Sequence, residues 1–170
     1  MKITRRASYS LFLLTVSTAT PNADAQQFPP TYTEPDGYNR TCFAPHRGTR
    51  ETVPVAGING NANGFWAYAT YNPAGWPVII FDVPKMVQYP RIVWRFTYFH
   101  ECAHLTIPTS DEIRANCAAL VEMRANGELD EEDEKVVEHT FRSLGSLGAQ
   151  YGGSGDAFWN ATLSCAGQRD

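Results

Sequence analysis

Thr97-Tyr98-Phe99-His100-Glu101-Cys102-Ala103-His104-Leu105 is the stretch whose reading decides what this chain folds around. Apart from Glu101 and the two histidines the run is uncharged, which predicts a helix buried through the core. A buried helix carrying two His and a Glu must find partners for them. Histidines at i and i+4 project from one side of a helix, so both imidazoles reach a single metal ion. Glu101 stands beside the first histidine, where its carboxylate reaches a metal-bound water without taking a coordination position. Zinc lowers the pKa of such a water, and the glutamate takes its proton as the water attacks a carbonyl. With four His and ten Glu in the chain, chance supplies the pattern in about half a percent of such sequences. The plainer alternative is a pair of hydrogen-bonded core histidines.

A catalytic zinc site has three protein ligands and one open position, so a third ligand must come from elsewhere. No further His follows in an H-x-x-G-x-x-H arrangement. Glu112 lies eight residues after His104, past Pro108, at the start of the next helix. If the two helices pack antiparallel, its carboxylate returns to the level of His104. Asn116, one turn on, shares its face and is placed to orient an imidazole. Competing assignments exist. Thr109-x-x-Glu112 also fits a capping box that would fold Glu112 back onto the Thr109 amide. Glu122 and His139 are the other possible ligands. Stabilising an oxyanion takes a donor outside the metal shell, and Tyr151 or His139 could supply it; a packed aromatic is the plain reading of Tyr151.

His100-Glu101-Cys102-Ala103-His104 together with Glu112-Ile113-Arg114-Ala115-Asn116 resembles the HExxH zincins of glutamate-ligand type, the gluzincin-like peptidases. The resemblance implies one Zn2+ held by His100, His104 and Glu112, Glu101 as the base, and Asn116 where an orienting Asp usually stands. It also implies a strand edge above the metal along which an extended peptide adds as a further strand; Val78–Phe81 is either that strand or an ordinary apolar strand of the core. Two features depart from the pattern: the short gap from His104 to Glu112, and Asn in place of Asp.

Outward from the motif, helices dominate. Pro90–Leu105 reads as the first long helix, Asp111–Asn126 as the second with Thr109 or Ser110 as cap and Gly127 as stop, and Asp130–Leu147 as the third. Ser154–Cys165 reads as a shorter fourth. Pro84 and Pro90 suit first-turn positions, and the acidic run 128–134 reads as a solvated helix start. Before the helices, Phe65–Tyr71 and Pro77–Asp82 are rich in aromatic and β-branched residues around an Asn72-Pro73-Ala74-Gly75 turn, which predicts a hairpin. Residues 42–63 read as irregular, with turns at Asn59-Gly60 and Asn63-Gly64. The expected class is α+β, zincin-like, mainly helical, with a small antiparallel sheet on the metal-site helix.

The N-terminus separates from the rest. Lys2, Arg5 and Arg6 precede a short apolar centre at 11–16, and Ala23-Asp24-Ala25 supplies a small-x-small cleavage pattern, so residues 1–25 read as a signal peptide. Residues 26–40 are Pro-rich and aperiodic and read as an extended arm; 41–170 read as one domain. Cleavage leaves 170 − 25 = 145 residues, and the charge becomes (14 − 3) − (18 − 1) = −6, which does not suit nucleic acid or anionic lipid. No later run approaches the roughly 20 apolar residues of a membrane helix. Export to a secreted or periplasmic location favours two disulfides among Cys42, Cys102, Cys117 and Cys165, in one of three pairings. Asn39 and Asn160 open N-x-T sequons, which matter only in a glycosylating host.

The leading expectation is a secreted zinc metallopeptidase acting on peptide or protein. A zinc-binding protein without turnover is the alternative, and Glu101 argues against it, because metal capture needs no base. A third possibility is a disulfide-stapled interaction module in which both histidines are structural. His46 gets no role.

Overall fold

A computed structural model describes residues 32–33 and 39–167. The predicted signal peptide lies outside them, as does the predicted arm apart from β1 (Tyr32–Thr33) and β2 (Asn39–Arg40), which pair antiparallel. The segment expected to be irregular contains three short strands. β3 (Phe43–Pro45) and β4 (Thr52–Pro54) form a ladder, and β5 (Ala56–Asn59) joins the principal sheet. Their shortness, and a Gly and Asn content that mimics loop, hides them from pattern reading.

β6 (Ala67–Tyr71) and β7 (Pro77–Phe81) form the expected antiparallel hairpin, with Tyr68 opposite Ile80 and Thr70 opposite Val78. The sheet order is β5-β7-β6, with β5 running parallel to β7. This corrects the expectation that Val78–Phe81 offers a free edge. β7 is the central strand, and its unbroken apolar run, buried at all but Ile80, is what a strand flanked on both sides requires. Among the described residues, the unpaired edge beside the helix that carries the two histidines belongs to β6.

α1 (Val83–Met86) is a single turn begun by Asp82, with Pro84 in its first turn. α2 (Arg91–Thr106) carries the histidine motif; Pro90 occupies its cap position rather than the first helical one. Twelve of its sixteen residues are buried, the pattern of a helix covered all round. α3 (Glu112–Ala125), α4 (Glu131–Ser143) and α5 (Gly155–Ala166) pack about it, with a short 3-10 turn at Ala149–Tyr151 before α5. α4 stops four residues earlier than the pattern suggested, because Gly145 at φ +66° turns the chain. The acidic run is not wholly solvated either: Glu134 is buried and pairs with Arg124 of α3. The core is aromatic. Phe96 of α2 meets Phe141 of α4 edge-on, and Trp159 of α5 stacks on Phe141 with ring centroids 5.7 Å apart. Gly155 lets α5 begin against α4, since a Cβ there would lie 2.0 Å from the Phe141 carbonyl oxygen.

Two disulfides staple this arrangement. Cys42–Cys102 ties α2 to the segment leading into β3, and Cys117–Cys165 ties α3 to α5. Bridges of this kind fit an oxidising compartment, and no helix among the described residues is long and apolar enough to cross a membrane. Proteolysis of unreduced protein should therefore release peptides joined 42 to 102 and 117 to 165. Any other pairing in the mass spectrum would contradict this chain path.

Candidate metal centre

The turn after α2 is short, so α3 runs back along it and brings Glu112 to the histidines. Asp111, not Thr109 or Ser110, caps α3: its carboxylate accepts from the Ile113 and Arg114 amides at 3.0 and 3.1 Å. Thr109 instead accepts from the Asp111 amide. The helix starts two residues later than a Thr109 capping box needs, so Glu112 is its first residue and its side chain is not drawn back to Thr109. It turns inward. Glu112 Oε2 lies 3.0 Å from His100 Nε2 and 3.4 Å from His104 Nε2, and the two Nε2 atoms are 3.1 Å apart. Among the described residues this is the only cluster of three His, Cys, Asp or Glu side chains close enough to share an ion.

The triangle is slightly smaller than one face of a zinc tetrahedron. Metal–ligand bonds of about 2.0–2.1 Å set ligand–ligand edges of about 3.3–3.4 Å, against 3.0, 3.1 and 3.4 Å here. The hydrogen bonds on the far side of each ring are consistent with that use. His104 Nδ1 donates to the Thr109 carbonyl oxygen at 2.7 Å, and His100 Nδ1 lies 3.1 Å from Asn116 Oδ1. Both rings then present unprotonated Nε2 lone pairs to one point, which is unfavourable unless a cation, either a proton or a metal ion, sits between them.

The electrostatics follow from that crowding. Burial works to raise the Glu112 pKa, but hydrogen bonds and charge from His100 and His104 outweigh it and hold the carboxyl at about 2. Burial works to lower His104, but its bonds to Glu112 and the Thr109 carbonyl, with the charges of Glu101 and Glu112, leave it raised above the usual imidazole value. A proton on His104 is therefore held more tightly than on an ordinary imidazole and competes with an incoming ion, while Glu112 stays ionised. The apparent zinc affinity should fall about tenfold per pH unit as pH drops through the raised His104 value. Zinc titrations at several pH values check this; an affinity flat from neutral to mildly acidic pH would contradict it.

Glu101 is 6% exposed. Burial raises its pKa, and Glu112 adds to that, against the pull of both histidines and of the Ala69 amide of β6 that hydrogen-bonds its carboxylate. A carboxylate whose pKa is raised is better suited to accept and return a proton than an ordinary surface one. It opens, with His100, into a cleft of about 360 Å³ whose walls include Trp66, Phe141 and Tyr151. Tyr151 is half-buried. Burial, then the charges of Glu112 and Glu101, push its pKa well up, so it remains a neutral donor.

The other candidates are not brought together. His139 is exposed on α4 and Glu122 is exposed on α3, and neither belongs to the ligand cluster or the cleft. His46 accepts two loop amides and packs edge-on against Trp76. Three contributors escaped the sequence: the Thr109 carbonyl, the Ala69 amide, and Thr162, which holds Asn116. The first two are backbone groups with no residue signature, and Thr162 is 46 positions from its partner. No protein-family model, curated protein or solved structure matches the chain.

Proposed function

We propose that this chain is an exported zinc-dependent hydrolase that cleaves peptide bonds, with His100, His104 and Glu112 as ligands and Glu101 as general base. The observation that carries the reading is the three-atom ligand face with a buried carboxylate beside it, opening into a cleft. A zinc ion held there supplies Lewis acidity, acidifying a water and polarising the scissile carbonyl. Glu101 takes the water's proton as the water oxygen attacks the carbonyl carbon. It then hands the proton to the amine nitrogen as the C–N bond breaks.

Substrate placement follows from β6. Trp66 accepts from the Asp82 amide and Asn72 donates to Trp76, so even-numbered residues face β7. Ala67, Ala69 and Tyr71 therefore turn their backbone groups to the free edge, where an extended peptide can lie as another strand. The Ala69 amide is already used by Glu101, which couples strand edge and base. The net charge of −4 gives no footing for nucleic acid, and peptide or protein remains the substrate class the cleft suits.

The test is metal content of the purified protein together with cleavage of a peptide library, before and after chelation. One equivalent of zinc and chelator-sensitive cleavage are expected. Protein that takes up no zinc would end the proposal; zinc without cleavage would leave a metal-binding protein. Tyr151→Phe, which removes only the hydroxyl of a side chain that lines the cleft, should keep zinc and lower kcat by roughly 10²–10³, the loss usual for one oxyanion donor. An unchanged kcat would return Tyr151 to a packing role.

A further inference from the structure

We propose that Thr162 is a positioning residue for the metal centre: through the side-chain amide of Asn116 it fixes which nitrogen of His100 faces the metal. The proposal rests on His100 being a ligand, and it starts from a property of asparagine. A carboxylate at position 116 would accept a hydrogen bond through either oxygen. An amide is two-sided, and turned the wrong way it would offer an N–H to His100 Nδ1. His100 would then carry its proton on Nε2, where the ion must bind.

Thr162 and Asn116 are both fully buried, so water does not settle the choice. The chain of donors does. The Thr162 hydroxyl donates to the Phe158 carbonyl oxygen of α5 at 3.0 Å, which leaves its oxygen as an acceptor for Asn116 Nδ2 at 2.8 Å. Asn116 Oδ1 is thereby left facing His100 Nδ1 at 3.1 Å, and the ring nitrogen donates. Read this way the relay contains three hydrogen bonds. With the amide turned over, the Thr162 hydroxyl must donate to Asn116 Oδ1, its bond to Phe158 is lost, and two remain. Each buried bond forgone is a net loss of stability. α5 thus sets the tautomer of a ligand on α2, by way of α3, and the Cys117–Cys165 bridge next to Asn116 holds α3 and α5 in the required register.

The experiment compares Thr162→Val and Thr162→Ser in two backgrounds, wild type and Asn116→Asp. Zinc affinity is measured by competition with a chromophoric chelator. The His100 tautomer is read by long-range nitrogen–proton NMR on metal-free protein at mildly alkaline pH. Thr162→Val should weaken zinc binding about 10- to 100-fold, the usual effect of losing support behind a ligand, and shift the His100 proton from Nδ1 towards Nε2. Thr162→Ser should behave like wild type. In the Asn116→Asp background Thr162→Val should leave the tautomer in place, because a carboxylate accepts from either oxygen. Thr162→Ala provides the same comparison should the valine variant not fold. Wild-type affinity and tautomer in Thr162→Val, or an equal loss in both backgrounds, would overturn the relay. Wild-type protein that holds the Nδ1 tautomer but takes no zinc would instead overturn the metal-centre reading and leave the relay standing.

Discussion

Glu101→Gln should keep one equivalent of zinc and lose hydrolysis by roughly 10²–10⁴, the contribution of a positioned general base. The change is isosteric, and Glu101 is not among the three ligand atoms. Its amide oxygen can still accept from Ala69, so β6 and α2 need not separate. What disappears is the capacity to hold a proton between attack on the carbonyl and departure of the amine. The acidic limb of the kcat/KM profile should vanish with it, since burial has raised the Glu101 pKa and the amide does not titrate. Zinc content by mass spectrometry and rates on the same preparation make the measurement. A variant that hydrolyses within a few-fold of wild type would remove Glu101 from the chemistry.

Why this residue was legible, and others were not, is a matter of range. His100, Glu101 and His104 lie within about 1.1 helical turns, so helix geometry alone sets their relation. Glu112 and Asn116 needed one further assumption, an antiparallel return of the chain after Pro108, and α3 packs against α2 in that way. The cap was misjudged by one or two positions because Thr109, Ser110 and Asp111 all have capping side chains; the Glu112 conflict disappears once Asp111 takes the role. The edge strand was misassigned because β5, which covers the far side of β7, is four residues of loop-like composition. The relay through Thr162 and the support from Ala69 arise only when segments tens of residues apart pack together, and no local pattern records them.

Removing a ligand should have the largest effect on folding as well as on metal. His100→Ala, His104→Ala and Glu112→Ala should each lose stoichiometric zinc, because two remaining ligands hold the ion poorly. A ligand that binds only the folded state adds about 4 kcal/mol at a thousand times its Kd. Such a gain corresponds to an upward shift in Tm of roughly 10 °C for a chain of this size. The wild type should show that shift on adding zinc, and the three variants should not. Glu112 needs a control, because it is also the first residue of α3, where a negative charge favours the helix dipole. Asp111→Ala supplies it. Loss of that cap should lower stability by about 0.5–2 kcal/mol while the zinc-dependent shift in Tm persists. If Glu112→Ala instead behaves like Asp111→Ala, with a modest loss of stability and zinc still bound at one equivalent, Glu112 is a helix-start residue and not a ligand. In that case the ion would be held by His100 and His104 with a third group from outside this cluster.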